Sequence, residues 1–163
     1  MKFPVFDFHY DTALALMGEH GNAPCELRRN EHHIDLERAK VNGGYAQCFA
    51  CFTTPFMEKS GVPVTTVFER ELAAVQSEIQ KNSDLIRQAF SMDDVRENQK
   101  NGLMSGILTL EGTAGINFDA SRLEELWKTG FRIVSLGWNE KNPLTGSHRT
   151  GGGLTDQGRE FVK

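Results

Sequence analysis

Alternation between apolar, strand-like runs and charged, helix-like stretches constrains this chain more than any other feature of its sequence. Residues 3–11, 45–53, 103–111 and 131–138 form apolar runs, and each is followed by polar or amphipathic sequence punctuated by Gly or Asn. The spacing predicts a short helix over about 35–41, closed by Asn42-Gly43-Gly44, and a long amphipathic helix over 64–81. A third is expected at 92–99, where Ser91 would cap it, and a fourth at 121–128, leading through Gly130 into the last apolar run. A final helix opens near Thr155.

Four such units imply a parallel sheet joined by right-handed crossovers, hence an α/β fold, either doubly wound or a (β/α) TIM-type barrel. The strand ends favour the barrel. His9, Asp11 and Glu111 sit at the carboxyl ends of the first and third runs, and polar residues follow the fourth, which is where barrel sites are assembled. The dinucleotide-binding alternative lacks a Gly-x-Gly-x-x-Gly after the first strand, and Gly151-Gly152-Gly153 comes without the Lys of a phosphate loop.

Asp7-Phe8-His9-Tyr10-Asp11 carries the chemistry. On an unbroken strand Val5, Asp7, His9 and Asp11 would share one face, with Phe6, Phe8 and Tyr10 packing on the other. A carboxylate and an imidazole would then converge at the strand end, a donor set that suits zinc and similar divalent ions. The alternative for these five residues alone is a surface turn with an isolated His. Asp7, one layer deeper than His9, is expected to contribute a supporting hydrogen bond.

Composition narrows the remaining classes. Acidic side chains outnumber Lys and Arg by 22 to 18, and no basic run or Arg-rich helix occurs, so nucleic acid is not an expected partner. No continuous apolar segment is long enough to span a membrane. Met1-Lys2 leads into a strand with polar Asp7 and His9 rather than into a leader with a small-residue cleavage site, so a cytoplasmic protein is expected. Cys48 and Cys51 form a Cys-x-x-Cys, but within a buried strand that spacing aims the two sulfurs at opposite faces. Packing therefore explains them better than a zinc knuckle or redox pair.

Taken in order, His9-x-Asp11, His33-Ile34-Asp35-Leu36, Leu110-Glu111-Gly112, Leu136-Gly137-Trp138-Asn139 with Asn142, and Gly153-Leu154-Thr155-x-x-Gly158-Arg159 resemble the motifs of the membrane (renal) dipeptidase family of binuclear zinc amidohydrolases. The resemblance spans the chain but covers only the amino-terminal half of the family's barrel. It implies a zinc-dependent dipeptidase with two zinc ions, in which His9 and Asp11 hold one ion and Glu111 is the catalytic carboxylate that bridges both. Such a bridge offsets the repulsion between two cations, and the metal-activated hydroxide attacks the peptide carbonyl. For Glu111 the alternative is a capping or loop carboxylate, but a buried one at the end of an apolar strand needs a partner.

The resemblance also places Trp138 and Asn139 where better-known members carry a substrate-contacting His, and His148 follows in a long loop on the same side, so these are the candidate substrate contacts. His32 is expected to be exposed, His33 to serve local packing or a cap, and His20 to lie in a loop. The family's ligands for the second zinc lie beyond the last residue here, and 156–163 reads as a helix without a stop signal. Residues 1–163 are accordingly expected to form one partial barrel domain, truncated at the carboxyl end, with open edges that call for a second half: a companion half-barrel chain, a continuation lost through processing or a reading-frame interruption, or self-association. Two other functions remain open: a non-catalytic half-barrel that binds a metal or a partner, and an amidohydrolase acting on another small amide or ester.

Overall fold

In the computed structural model, residues 3–18, 23–55, 57 and 61–163 are described. They form β1 (Val5–Tyr10), α1 (Thr12–Met17), α2 (Leu36–Ala39), β2 (Tyr45–Phe52), α3 (Val64–Lys81), β3 (Ile86–Gln88), α4 (Met92–Lys100), β4 (Met104–Glu111), α5 (Leu123–Thr129), β5 (Phe131–Ser135), β6 (Thr145–Ser147), β7 (Gly151–Leu154) and α6 (Asp156–Phe161). The five-stranded sheet runs β1-β2-β4-β3, with β5 also pairing β4, and every pairing in it is parallel. The expected alternation is therefore present, with two additions. β3 pairs the amino-terminal half of β4 and β5 its carboxyl-terminal half, so the two share one edge. An antiparallel hairpin, β6–β7, follows β5.

β2 is buried along all eight residues, as expected of a central parallel strand covered on both faces. On one face Tyr45, Phe49 and Cys51 join Met104, Leu108 and Leu110 of β4 in the main core. α3 covers this face with Phe68, Leu72, Val75 and Ile79, residues that recur at helical spacing. Burying side chains such as Phe49 and Leu108, both 0% exposed, contributes roughly 1.5–3 kcal/mol each. The opposite face carries smaller residues, where Cys48, Ala89 and Ile107 form a second cluster with Phe6 and Val95. α4 closes part of it, and its Asn98 donates to the Ser105 hydroxyl at 3.0 Å. Cys48 and Cys51 thus point to opposite faces, as their spacing predicts, and neither is paired. Burial pushes both thiols up, that of Cys48 to about 11, so neither is a ready nucleophile.

The helix ends follow local sequence. Ser91 caps α4 by accepting from the Asp94 amide, and Thr155 caps α6 by accepting from Gly158. α5 ends at Gly130, whose φ of 111° is open to glycine at little cost. The helix expected over 35–41 is a single turn, α2, and that expected over 121–128 starts as a 3-10 turn before α5. Among the described residues no helix is long and apolar enough to cross a membrane.

Candidate metal centre

β1 departs from regular alternation where its chemistry begins. Asp7 pairs with Gln47 and Tyr10 with Phe49, so Phe8 and His9 together stand opposite Cys48, a β-bulge. Asp7 and Tyr10 consequently lie on the helix-covered face with Gln47 and Phe49, while His9 turns to the other face. The expectation that Val5, Asp7, His9 and Asp11 share one face is thereby corrected, as is the packing of Phe8 with Tyr10: Phe8 is 69% exposed. The Asp7 carboxylate accepts the backbone N–H of His9 at 3.2 Å and the Tyr45 hydroxyl at 3.4 Å, so it supports the backbone and not the imidazole.

The bulge brings His9 to Glu111. Counting back from Phe52, the register partner of Glu111, puts Glu111 on the small-residue face at the carboxyl end of β4. His9 Nε2 lies 3.3 Å from Glu111 Oε2 and 3.4 Å from Asp11 Oδ1. One ligand atom from each of His9, Asp11 and Glu111 falls within 4.8 Å of the others. Asp11 heads α1 without using its carboxylate as a cap, which leaves that group facing the cluster. Glu111 is the most enclosed of the three, and burial raises its carboxyl above the usual range; the His9 charge opposes this and Asp11 adds to it. Two carboxylates and an imidazole that converge at a half-buried strand end form a donor set that fits a divalent cation.

The strand ends around the cluster are tied together by side chains. Gly112 N–H donates to Ser135 Oγ at 3.1 Å, Thr113 Oγ1 donates to the Leu136 carbonyl at 3.1 Å, and Gly115 N–H donates to Thr53 Oγ1 at 2.8 Å. Each bond joins the loop after β4 to the end of a neighbouring strand.

The family model for membrane dipeptidase, peptidase family M19, matches residues 1–163. The chain belongs to the membrane dipeptidase family. Among solved structures it is similar to a dipeptidase of metallopeptidase family M19, with 22% identity and a TM-score of 0.83 over 99% of this chain and 53% of that one. It is similar also to a metallopeptidase from Rhodobacter sphaeroides liganded with a phosphinate mimic of the dipeptide L-Ala-D-Ala, at 22% identity and TM-score 0.80, covering 99% and 55%. A probable dipeptidase, PvdM, from Pseudomonas aeruginosa aligns with TM-score 0.77 at 18% identity over 98% and 43%. An uncharacterised protein of the PQQ-III 3′ region of Acinetobacter calcoaceticus is 22% identical over 98% of this chain and 59% of its own length. The chain thus spans about half the length of these relatives, and its parallel sheet corresponds to about half of a family barrel.

The remaining expected positions of this dipeptidase-family chain divide. Trp138 packs against Phe52 in a tilted arrangement, with ring centroids 4.7 Å apart and planes at 59°. Phe52 was not foreseen as a site residue; its signal was its place at the end of the second strand, level with Glu111. Asn139 follows Trp138 and is half-buried. His148 is exposed in the turn between β6 and β7, outside the cluster. His32 is half-buried instead of exposed, and His33 is exposed and caps nothing, since Asp35 caps α2. Both line a cavity of about 600 Å³ together with His9, Tyr10, Asp11 and Asn30. His20 lies outside the described residues.

Proposed function

We propose that this chain carries the amino-terminal part of the active site of a zinc-dependent dipeptidase. His9 and Asp11 would hold one zinc and Glu111 would bridge to a second, whose other ligands lie elsewhere in the assembled enzyme. The observation that carries this reading is the meeting of His9, Asp11 and Glu111 at adjacent strand ends, their ligand atoms within 4.8 Å. Bound zinc supplies Lewis acidity, lowering the pKa of a water and polarising the scissile carbonyl. The chain's own residues do the rest. Glu111, enclosed against Phe52, keeps its carboxylate fixed in a setting of reduced dielectric, which strengthens its hold on a cation. Phe52 and Trp138 form an aromatic wall beside it that would exclude water and take an apolar part of a dipeptide, while Asn139 offers an amide to the substrate. His148, on its hairpin turn, is assigned a substrate contact in the assembled enzyme.

A partner half-barrel completes the site in this proposal, whether a continuation of this chain, a second chain or another copy. Exposed Phe8, Phe90 and Ile133, at 69, 44 and 43%, give such a partner apolar surface to cover. The same surface supports the second reading, a half-barrel that binds metal or a partner without turnover. Native mass spectrometry of the isolated protein, with bound metal counted, tests the proposal. Metal is expected on the wild type and lost from Glu111→Ala and His9→Ala, and dipeptide hydrolysis is expected from any complex holding two metals. Full metal content in Glu111→Ala would refute the assignment, and a two-metal complex inert towards dipeptides would favour the second reading.

A further inference from the structure

We infer that Asp7 is a positioning residue for this site: its carboxylate, held between the His9 backbone amide and the Tyr45 hydroxyl, maintains the β1 bulge that delivers the His9 imidazole to Glu111. The inference deepens the metal-site reading and in part rests on it. On a regular parallel strand residues 7 and 9 face the same way, so His9 would follow Asp7 to the helix-covered face, away from Glu111. One extra residue reverses this. A bulge takes a residue out of the ladder, and its backbone polar groups then need partners of their own. Asp7 Oδ1 provides one by accepting the His9 N–H at 3.2 Å.

The second carboxylate oxygen fixes the first. Asp7 Oδ2 accepts from Tyr45 at 3.4 Å, and Tyr45 is 8% exposed on β2, so the Asp7 side chain is tied to the neighbouring strand and cannot swing freely. Burial, followed by the nearby Asp7 charge, pushes the Tyr45 hydroxyl up, which keeps it a donor. The direct partners of His9 on the far face, Asp11 and Glu111, orient the ring only after the backbone has turned it towards them. Asp7 therefore acts on the imidazole through the main chain, by geometry and not by charge.

Asp7→Ala, Asp7→Asn and Tyr45→Phe separate these roles, because Asn keeps the acceptor and loses the charge. In the metal-free protein, cross-strand nuclear Overhauser contacts between β1 and β2 read the register directly. Asp7→Ala is expected to replace the Tyr10–Phe49 pairing with His9–Phe49, while Asp7→Asn retains the wild-type register. Zinc affinity, measured by competition with a chromogenic chelator, is expected to fall about tenfold or more in Asp7→Ala, to stay near wild type in Asp7→Asn, and to be intermediate in Tyr45→Phe. Retention of the Tyr10–Phe49 pairing in Asp7→Ala would overturn the inference, as would an Asp7→Asn protein that folds but loses the bulge or binds zinc as weakly as Asp7→Ala. Absence of zinc binding in the wild type would sink the metal reading alone, and the register would still decide the role of Asp7. Should Asp7→Ala fail to fold, the Asp7→Asn and Tyr45→Phe registers decide it.

Discussion

Replacing Asp35 by Ala removes a buried acceptor that organises the wall of the cavity beside the candidate metal-binding cluster. Its Oδ1 accepts the Arg38 amide at 2.8 Å, capping α2, and its Oδ2 accepts Arg38 Nε at 2.6 Å and the Asn30 amide at 3.4 Å. Arg38 in turn donates to the carbonyls of Asn30 and His32, so this hub shapes the segment that brings His32 and His33 to the cavity. Loss of the cap costs about 1 kcal/mol. Loss of the charge-assisted bonds adds about 1–3 kcal/mol, the lower bound reduced by solvent screening because Arg38 is 53% exposed. The sum is about 2–4 kcal/mol. With a urea slope of about 2 kcal/mol per molar, the unfolding midpoint should fall by about 1–2 M at pH 7. Burial alone would raise the Asp35 carboxyl, but the bonds from Arg38 and Asn30 hold it below the usual range. The unfolded chain therefore takes up this proton first, at about pH 3.9, and the Asp35 contribution is complete above that value and fades as pH drops through the lower folded one. The gap between wild type and Asp35→Ala should accordingly hold steady down to about pH 4 and narrow below it. A midpoint shift equivalent to under about 1 kcal/mol, or a gap unchanged at pH 3, would refute the reasoning.

Two other substitutions test the packing on either side of the site. A Cβ on Gly158 would collide with the Leu144 carbonyl oxygen and stand 2.9 Å from its carbon, so Gly158→Ala should lower stability by about 1–3 kcal/mol in a thermal melt despite the better helix propensity of Ala. Leu108→Ala, at a position 0% exposed on the helix-covered face of β4, should cost about 2–5 kcal/mol in urea unfolding. Because Glu111 faces the other way, the folded Leu108→Ala protein should bind zinc as the wild type does, and a parallel loss of affinity would show that the two faces are coupled.

β2 and β4 are legible in the sequence because central parallel strands are apolar on both faces, and runs such as Tyr45-Ala46-Gln47-Cys48-Phe49 have few other ways to bury themselves, whereas β1 and β5 are partly exposed and show only as short apolar runs. β3 is illegible in the sequence for the opposite reason. It is three residues long, and with Arg87 and Gln88 it owes its strand geometry to the edge of β4. The β6–β7 hairpin was hidden likewise, since Gly151-Gly152-Gly153 carries no side chain from which alternation could be read. An aromatic at the end of an apolar run looks like core, so the place of Phe52 beside the site shows only through its contact with Trp138.

The candidate site shows where spacing rules stop. His9, Asp11 and Glu111 stood out as residue types at strand ends, and they do converge, but the two-residue rule that grouped Asp7 with His9 holds only for an unbroken ladder. Whether that ladder breaks depends on a hydrogen bond from Tyr45, 38 positions away, and on an acceptor that the rule assigned to the same face as the ligand. The bulge reverses the geometry that the spacing implies and still unites the same three side chains. Identity and order of residues locate such a site, then, while the face it occupies is fixed by contacts between strands that no local pattern contains.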